Sequence, residues 1–258
     1  MIRKVILLLL MGASIVRADP SADALTAAGI VEFSAAYQVW DCERFGKAAN
    51  FFHQAEVKSP ASVINRYWRG VALFHRMLQF KSTSNHKAAH ATMDEAINSL
   101  ESAVKFDAGH AESHALLGTL YGMKIDGGMV RTIRYGPTVQ KHQQAALKYG
   151  PSNPRVHYLL GTGQFHTAKD EPARRVALKT LQAAEKLFLA EAKHSAKDFE
   201  PRWGYSSCLT FIARAYESLG HNKQAVEHYQ KALAIHPIDH AAKEGLARIA
   251  TQNRIHHE

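Results

Sequence analysis

Cysteine is scarce in this chain of 258 residues: Cys42 and Cys208 are the only two, too few for a disulfide scaffold. Proline (8) and glycine (16) are too sparse for a collagen-like or low-complexity chain. Catalytic signatures are missing as well. Asp126-Gly127-Gly128 is not followed by Gly-Lys-Ser/Thr, so it reads as a turn and not as a phosphate loop. Gly161-Thr162-Gly163 lacks the third glycine and acidic partner of a dinucleotide site. No HExxH occurs among the 16 histidines, and Cys208 with His221 has nothing to orient a base or hold an oxyanion. These absences imply no enzyme, no cofactor and no metal centre. What is present is a composition 46% hydrophobic and 21% charged, enough for a substantial packed core.

The first residues read as an address. Arg3 and Lys4 precede an apolar run from Val5 to Met11, continued by Gly12 to Val16, and Val16-Arg17-Ala18 is a small-residue exit. That is the pattern of a secretory signal peptide over residues 1–18, with a mature domain over 19–258 beginning at Asp19. A membrane span needs roughly 20 apolar residues, and this run is broken by Gly12, Ser14 and Arg17. The expectation is an exported protein, periplasmic or secreted, without a span after cleavage. Loss of Arg3, Lys4 and Arg17 takes the formal charge from +9 to +6. Export, and the lack of an RNA-module motif, argue against a nucleic-acid partner.

Internal periodicity decides the fold. Ala48, Phe52, Ala55 and Pro60 have the same spacing as Ala225, Tyr229, Ala232 and Pro237, and Leu209, Ile212, Ala213, Tyr216 and Gly220 precede the second set. Together these residues resemble a tetratricopeptide repeat (TPR), a pair of antiparallel helices whose small residues allow close backbone approach. Weaker first-helix positions are Ala36, Gly70, Gly118, Gly161, Ala213 and Ala247, separated by 34, 48, 43, 52 and 34 residues. The expected fold is therefore all-α, a TPR-like helical-repeat solenoid of about five helix pairs. The repeats fall near 29–62, 63–110, 111–153, 154–205 and 206–239, closed by a capping helix over 240–254. The excess residues of the inner repeats, Lys81 to Asp94, Met123 to Pro137 and Phe165 to Arg175, are expected as insertions between paired helices along one edge.

The resemblance implies a concave groove lined by the first helix of each pair. Helical spacing puts Phe33, Tyr37 and Trp40, then Tyr67, Val71 and Phe74, then Tyr158, Thr162 and Phe165 on the candidate stripe. Such a stripe either binds an extended peptide or apolar ligand, or packs against neighbouring helices. The second candidate surface is a basic edge with Lys124, Arg131, Arg134, Lys169, Arg174 and Arg175, opposed by Asp126, Asp170 and Glu171. It suits a carboxylate, a phosphate or an acidic protein surface, unless these are ordinary solvated charges.

Of the histidine pairs at i, i+4, His86/His90 best keeps one helical face, while His110/His114 and His236/His240 are compromised by the repeat register and Pro237. Two ligands do not make a zinc site. The leading functional expectation is a non-catalytic scaffold for a protein or peptide partner. The alternative is a carrier of an apolar or anionic small molecule, because exported degenerate helical repeats are similar to helical accessory components of periplasmic solute transporters.

Overall fold

The computed structural model describes residues 20–255, so the signal-peptide expectation for residues 1–18 lies outside the described residues. Every regular element among them is an α-helix: α1 (Pro20–Val39), α2 (Cys42–Lys58), α3 (Val63–Ser82), α4 (His86–Phe106), α5 (Ala111–Ile125), α6 (Met129–Tyr149), α7 (Pro154–Thr167), α8 (Glu171–Glu191), α9 (Tyr205–Ser218), α10 (Asn222–Ile235) and α11 (His240–Ile255). Consecutive helices pair, α1 with α2 through α9 with α10, and α11 packs on the last pair. This is the five-pair TPR-like solenoid with a terminal helix that the periodicity predicts.

Local chemistry sets the helix starts. Asp41 accepts from the backbone N–H groups of Glu43 and Arg44 at 2.8 and 3.0 Å, and Asn85, Asn153 and Asp170 do the same work for α4, α7 and α8. These side chains satisfy donors that the first helical turn leaves orphaned. Pro154 opens α7, where its missing N–H costs nothing.

The inner pairs differ from expectation in one respect. The excess residues are not inserted loops. They lengthen the helices, so α3 and α4 run 20 and 21 residues against 14 each for α9 and α10. Short turns at 83–85, 126–128 and 168–170 close the pairs. Asn85 caps α4 directly after α3, and Ala89, Thr92 and Met93 continue the buried face of α4, so helix extension costs less than an exposed loop. The Asp126–Gly128 turn forms as read, with Asp126 at φ 45° and Gly127 at φ 70°. At the other end, the first pair begins at Pro20 and not near residue 29.

Small residues let the paired backbones approach. A Cβ on Gly161 would lie 2.8 Å from Leu181 Cγ, and one on Gly70 would lie 2.5 Å from Leu100 Cγ. Gly118 is looser, facing the flexible Gln143 side chain at 3.3 Å. Gly161→Leu should therefore overpack the α7–α8 contact and cost roughly 1–3 kcal/mol or more, whereas Gly122→Ala, with nothing within 4 Å, should be nearly neutral. Thermal melts of both variants check this, and a parent-like Gly161→Leu would refute the assigned repeat register.

Candidate functional site

The concave interior is where the aromatic stripe was expected to meet a ligand. The chain itself occupies that space. The connection between α8 and α9, residues 192–204, runs across the first helices of the pairs. The Trp68 indole donates to the Phe199 carbonyl at 2.8 Å, and the Trp203 indole donates to the Tyr67 hydroxyl at 2.9 Å. Trp203 lies edge-on to His75 and Tyr158. Phe33, Tyr67, Val71, Phe74 and Tyr158 are all buried, so the open-groove reading gives way to an interior one for these side chains. Among the aromatic residues of the stripe, only Tyr37, Trp40 and Phe165 are half-buried. Tyr37 links α1 to the last pair: its hydroxyl sits 2.9 Å from Ser207 Oγ of α9, and its ring packs on His236. Phe165 lies against Phe211, with the Arg214 guanidinium over its face.

Beneath Trp203 lies a buried ionic cluster. Arg155 bonds Glu112 through Nε at 2.8 Å and Glu191 through its terminal nitrogens. Glu112 also accepts from Asn153 at 2.7 Å and from the Tyr67 hydroxyl. Burial works against the charge on Arg155, yet Glu112 and Glu191 hold its affinity for the proton above the ordinary value. Burial, together with the adjacent Glu112 carboxylate, holds the Tyr67 hydroxyl well above its usual range, keeping it a neutral donor. The cluster satisfies itself and presents no reactive group. Sequence reading missed it. The available signal was that Glu112 and Arg155 each stand second in a first helix, facing the same end of neighbouring pairs.

The basic edge is more open. Arg131 and Arg134 border a recess of about 530 Å³ formed by α3, α4, α5 and the start of α6, with Met93 and Met123 among its apolar lining. Lys81, His86 and His90 line it too, so the histidine pair faces this recess. Lys124 is bound to Asp94 at 2.6 Å, and Arg131 faces Asp126 at 3.5 Å. One pair further on, Lys169 is exposed, Arg175 pairs with Glu171, and Arg174 donates to the Ser218 carbonyl at 3.4 Å. The structure thus brings Arg131 and Arg134 to one recess and leaves Lys169, Arg174 and Arg175 at the adjacent turn. Sequence reading does not find the exposed Met129, Val130 and Ile133 at the tip of α6, because the repeat period assigns that segment to an inserted loop.

The remaining candidates are quiet. His110 caps α5, and His114 is buried 2.8 Å from His142, Nδ1 to Nδ1. No group of three His, Cys, Asp or Glu side chains is placed to hold a metal ion among the described residues. Cys42 and Cys208 are free thiols, and burial pushes Cys208 far above its usual range, where it is a poor nucleophile. No helix of the described residues is long and apolar enough to cross a membrane.

Paired helices, close-packed small residues and a capped end define the class: an all-α TPR-like helical-repeat protein. Solved structures agree. TTC0263, a thermophilic TPR protein of Thermus thermophilus, superposes with TM-score 0.59 at 17% identity over 89% of this chain and 97% of its own. The Cut9–Hcn1 hetero-tetramer of the APC/C gives TM-score 0.59 at 16% identity, over 90% of this chain and 37% of that one. The chain belongs to the family described as regulator of microtubule dynamics protein 1-3, whose sequence profile matches residues 33–253. Regulator of microtubule dynamics protein 3 of Bos taurus is 26% identical over 180 residues, 65% of this chain. The chain spans 36% of that relative's length.

Proposed function

We propose that this chain is a non-catalytic protein-interaction scaffold that engages its partner from the edge carrying Arg131 and Arg134, and not from the concave face. One observation carries the reading: the recess is open and rimmed by cations, whereas the concave face is filled by Trp203 and its neighbours. The same filling favours a scaffold over a small-molecule carrier, which needs an accessible interior. The family's description makes the microtubule the first partner to test. Co-sedimentation with polymerised tubulin should pellet the chain, and Arg131→Glu with Arg134→Glu should weaken pelleting roughly tenfold and flatten its salt dependence. Equal pelleting of parent and variant would remove the edge as the contact surface.

Export through residues 1–18 is a separate proposal, supported by the charged start, apolar run and small-residue exit, and an exported chain would engage a partner other than the microtubule. N-terminal sequencing of exported protein should begin at Asp19. Recovery of Met1 would overturn export and leave the scaffold reading in place.

A further inference from the structure

The first half of α6 stands clear of the core: from Met129 to Lys141 no residue is buried. Met129, Val130 and Ile133 are 81%, 78% and 73% exposed, and their i, i+1, i+4 spacing keeps them on one side of the helix. Val130 lines the recess, where half-buried Met123 offers adaptable thioether surface above the buried Met93. Two of its cations are committed, Lys124 to Asp94 and Arg131 to Asp126. Lys81 and Arg134 have no ion-pair partner among the described residues, and Arg134 rests only against the Tyr135 ring at 5.3 Å. The recess therefore combines excess positive charge with uncovered apolar surface.

A purely acidic tail would meet the cations and leave Met123 and Val130 wet. A purely apolar ligand would strand the cations. A volume of about 530 Å³ takes several side chains but not a helix body, which is about 10–12 Å across. We infer that the site takes one face of an acidic amphipathic helix from a partner protein, laid across the mouth along the tip of α6. Apolar side chains of that helix enter toward Met123 and Val130, and its flanking carboxylates pair with Lys81 and Arg134. This rests on the scaffold reading and specifies the partner's chemistry.

The probe is a synthetic helical peptide with leucine at i, i+3 and i+4 along one face and glutamate flanking it, titrated against the chain by fluorescence anisotropy. Saturable binding is expected, weakened roughly tenfold or more by Ile133→Asp and by Arg131→Glu with Arg134→Glu. Melting should be unchanged, since these side chains are exposed. Polyglutamate should bind far more weakly. No saturable binding, indifference to Ile133→Asp, or equal binding of polyglutamate would each overturn the inference. Photo-crosslinking in cells from position 133, with exposed Val57 as a second site, separates this from the broader reading. Capture of an acidic amphipathic segment at 133 supports it. Capture of any other composition at 133 removes this inference and leaves the edge as the contact surface, whereas capture at 57 alone removes the edge with it. Crosslinks at neither position remove both.

Discussion

Arg155→Ala lowers the stability of the fold by roughly 3–5 kcal/mol, the cost of stranding buried charges without their partner. Arg155 is 2% exposed at its side chain, and the carboxylates it joins are 8% and 15% exposed. Removing the guanidinium leaves two acids facing each other with little water to screen them. The damage spreads because the cluster ties α5, α7 and α8 together and, through Tyr67 and Trp203, reaches α3 and the 192–204 connection. At a few degrees per kcal/mol for a chain of this size, the midpoint should fall by about 10 °C. Urea denaturation measures the free energy directly. Replacing Arg155, Glu112 and Glu191 together with apolar residues of similar volume should recover most of the loss, because an absent charge needs no partner. A loss below about 1 kcal/mol for Arg155→Ala would mean that the cluster behaves as a solvated surface pair.

The fold was largely legible in the sequence because TPR packing leaves marks that local spacing preserves. Ala48, Phe52 and Ala55 are wholly buried on α2, as Ala225, Tyr229 and Ala232 are on α10, and close packing demands those sizes at those intervals. Gly161 against Leu181 is the same rule seen across a pair. The helix extensions were not legible, since a period of 34 residues says where a repeat should end and not how spare residues are spent. Met129, Val130 and Ile133 then looked like part of a loop. The fate of the aromatic stripe was hidden for a different reason. Tyr67 and Tyr158 both contact Trp203, and whether the stripe is open depends on that residue, which comes 136 positions after Tyr67. Contacts at such range carry no local periodicity, and the Glu112–Arg155–Glu191 cluster escaped notice for the same reason.

Acidification should loosen the centre of the molecule between pH 6.5 and about 4, and His75 is the main cause. Its ring is buried, with Nδ1 2.8 Å from the Val71 carbonyl of its own helix. Phe33, Tyr37, Phe45, Phe74 and Trp203 surround it at ring separations of 5.2 to 5.6 Å. Burial among these rings pushes its pKa from 6.5 down to about 4. Above pH 6.5 the residue is neutral in both folded and unfolded chains, and its contribution is fully present. Below that, the unfolded chain takes up a proton that the folded one refuses, so stability falls by up to about 1.36 kcal/mol per pH unit until the folded ring also titrates. The sum is about 3 kcal/mol. His142, lowered to about 4 first by burial and then by His114, acts in the same direction. Burial lowers His228, but the Glu185 carboxylate 3.8 Å away and the hydrogen bond to the Gln224 carbonyl outweigh it and raise its pKa, so its contribution is present in acid and lost as pH rises. His75→Phe isolates one ring from the rest, keeping the aromatic contacts while removing the titration. Urea denaturation at about pH 7.5 and about pH 4.5 should show the acid loss reduced by about 2–3 kcal/mol in this variant. An equal loss in parent and variant would place the acid sensitivity elsewhere.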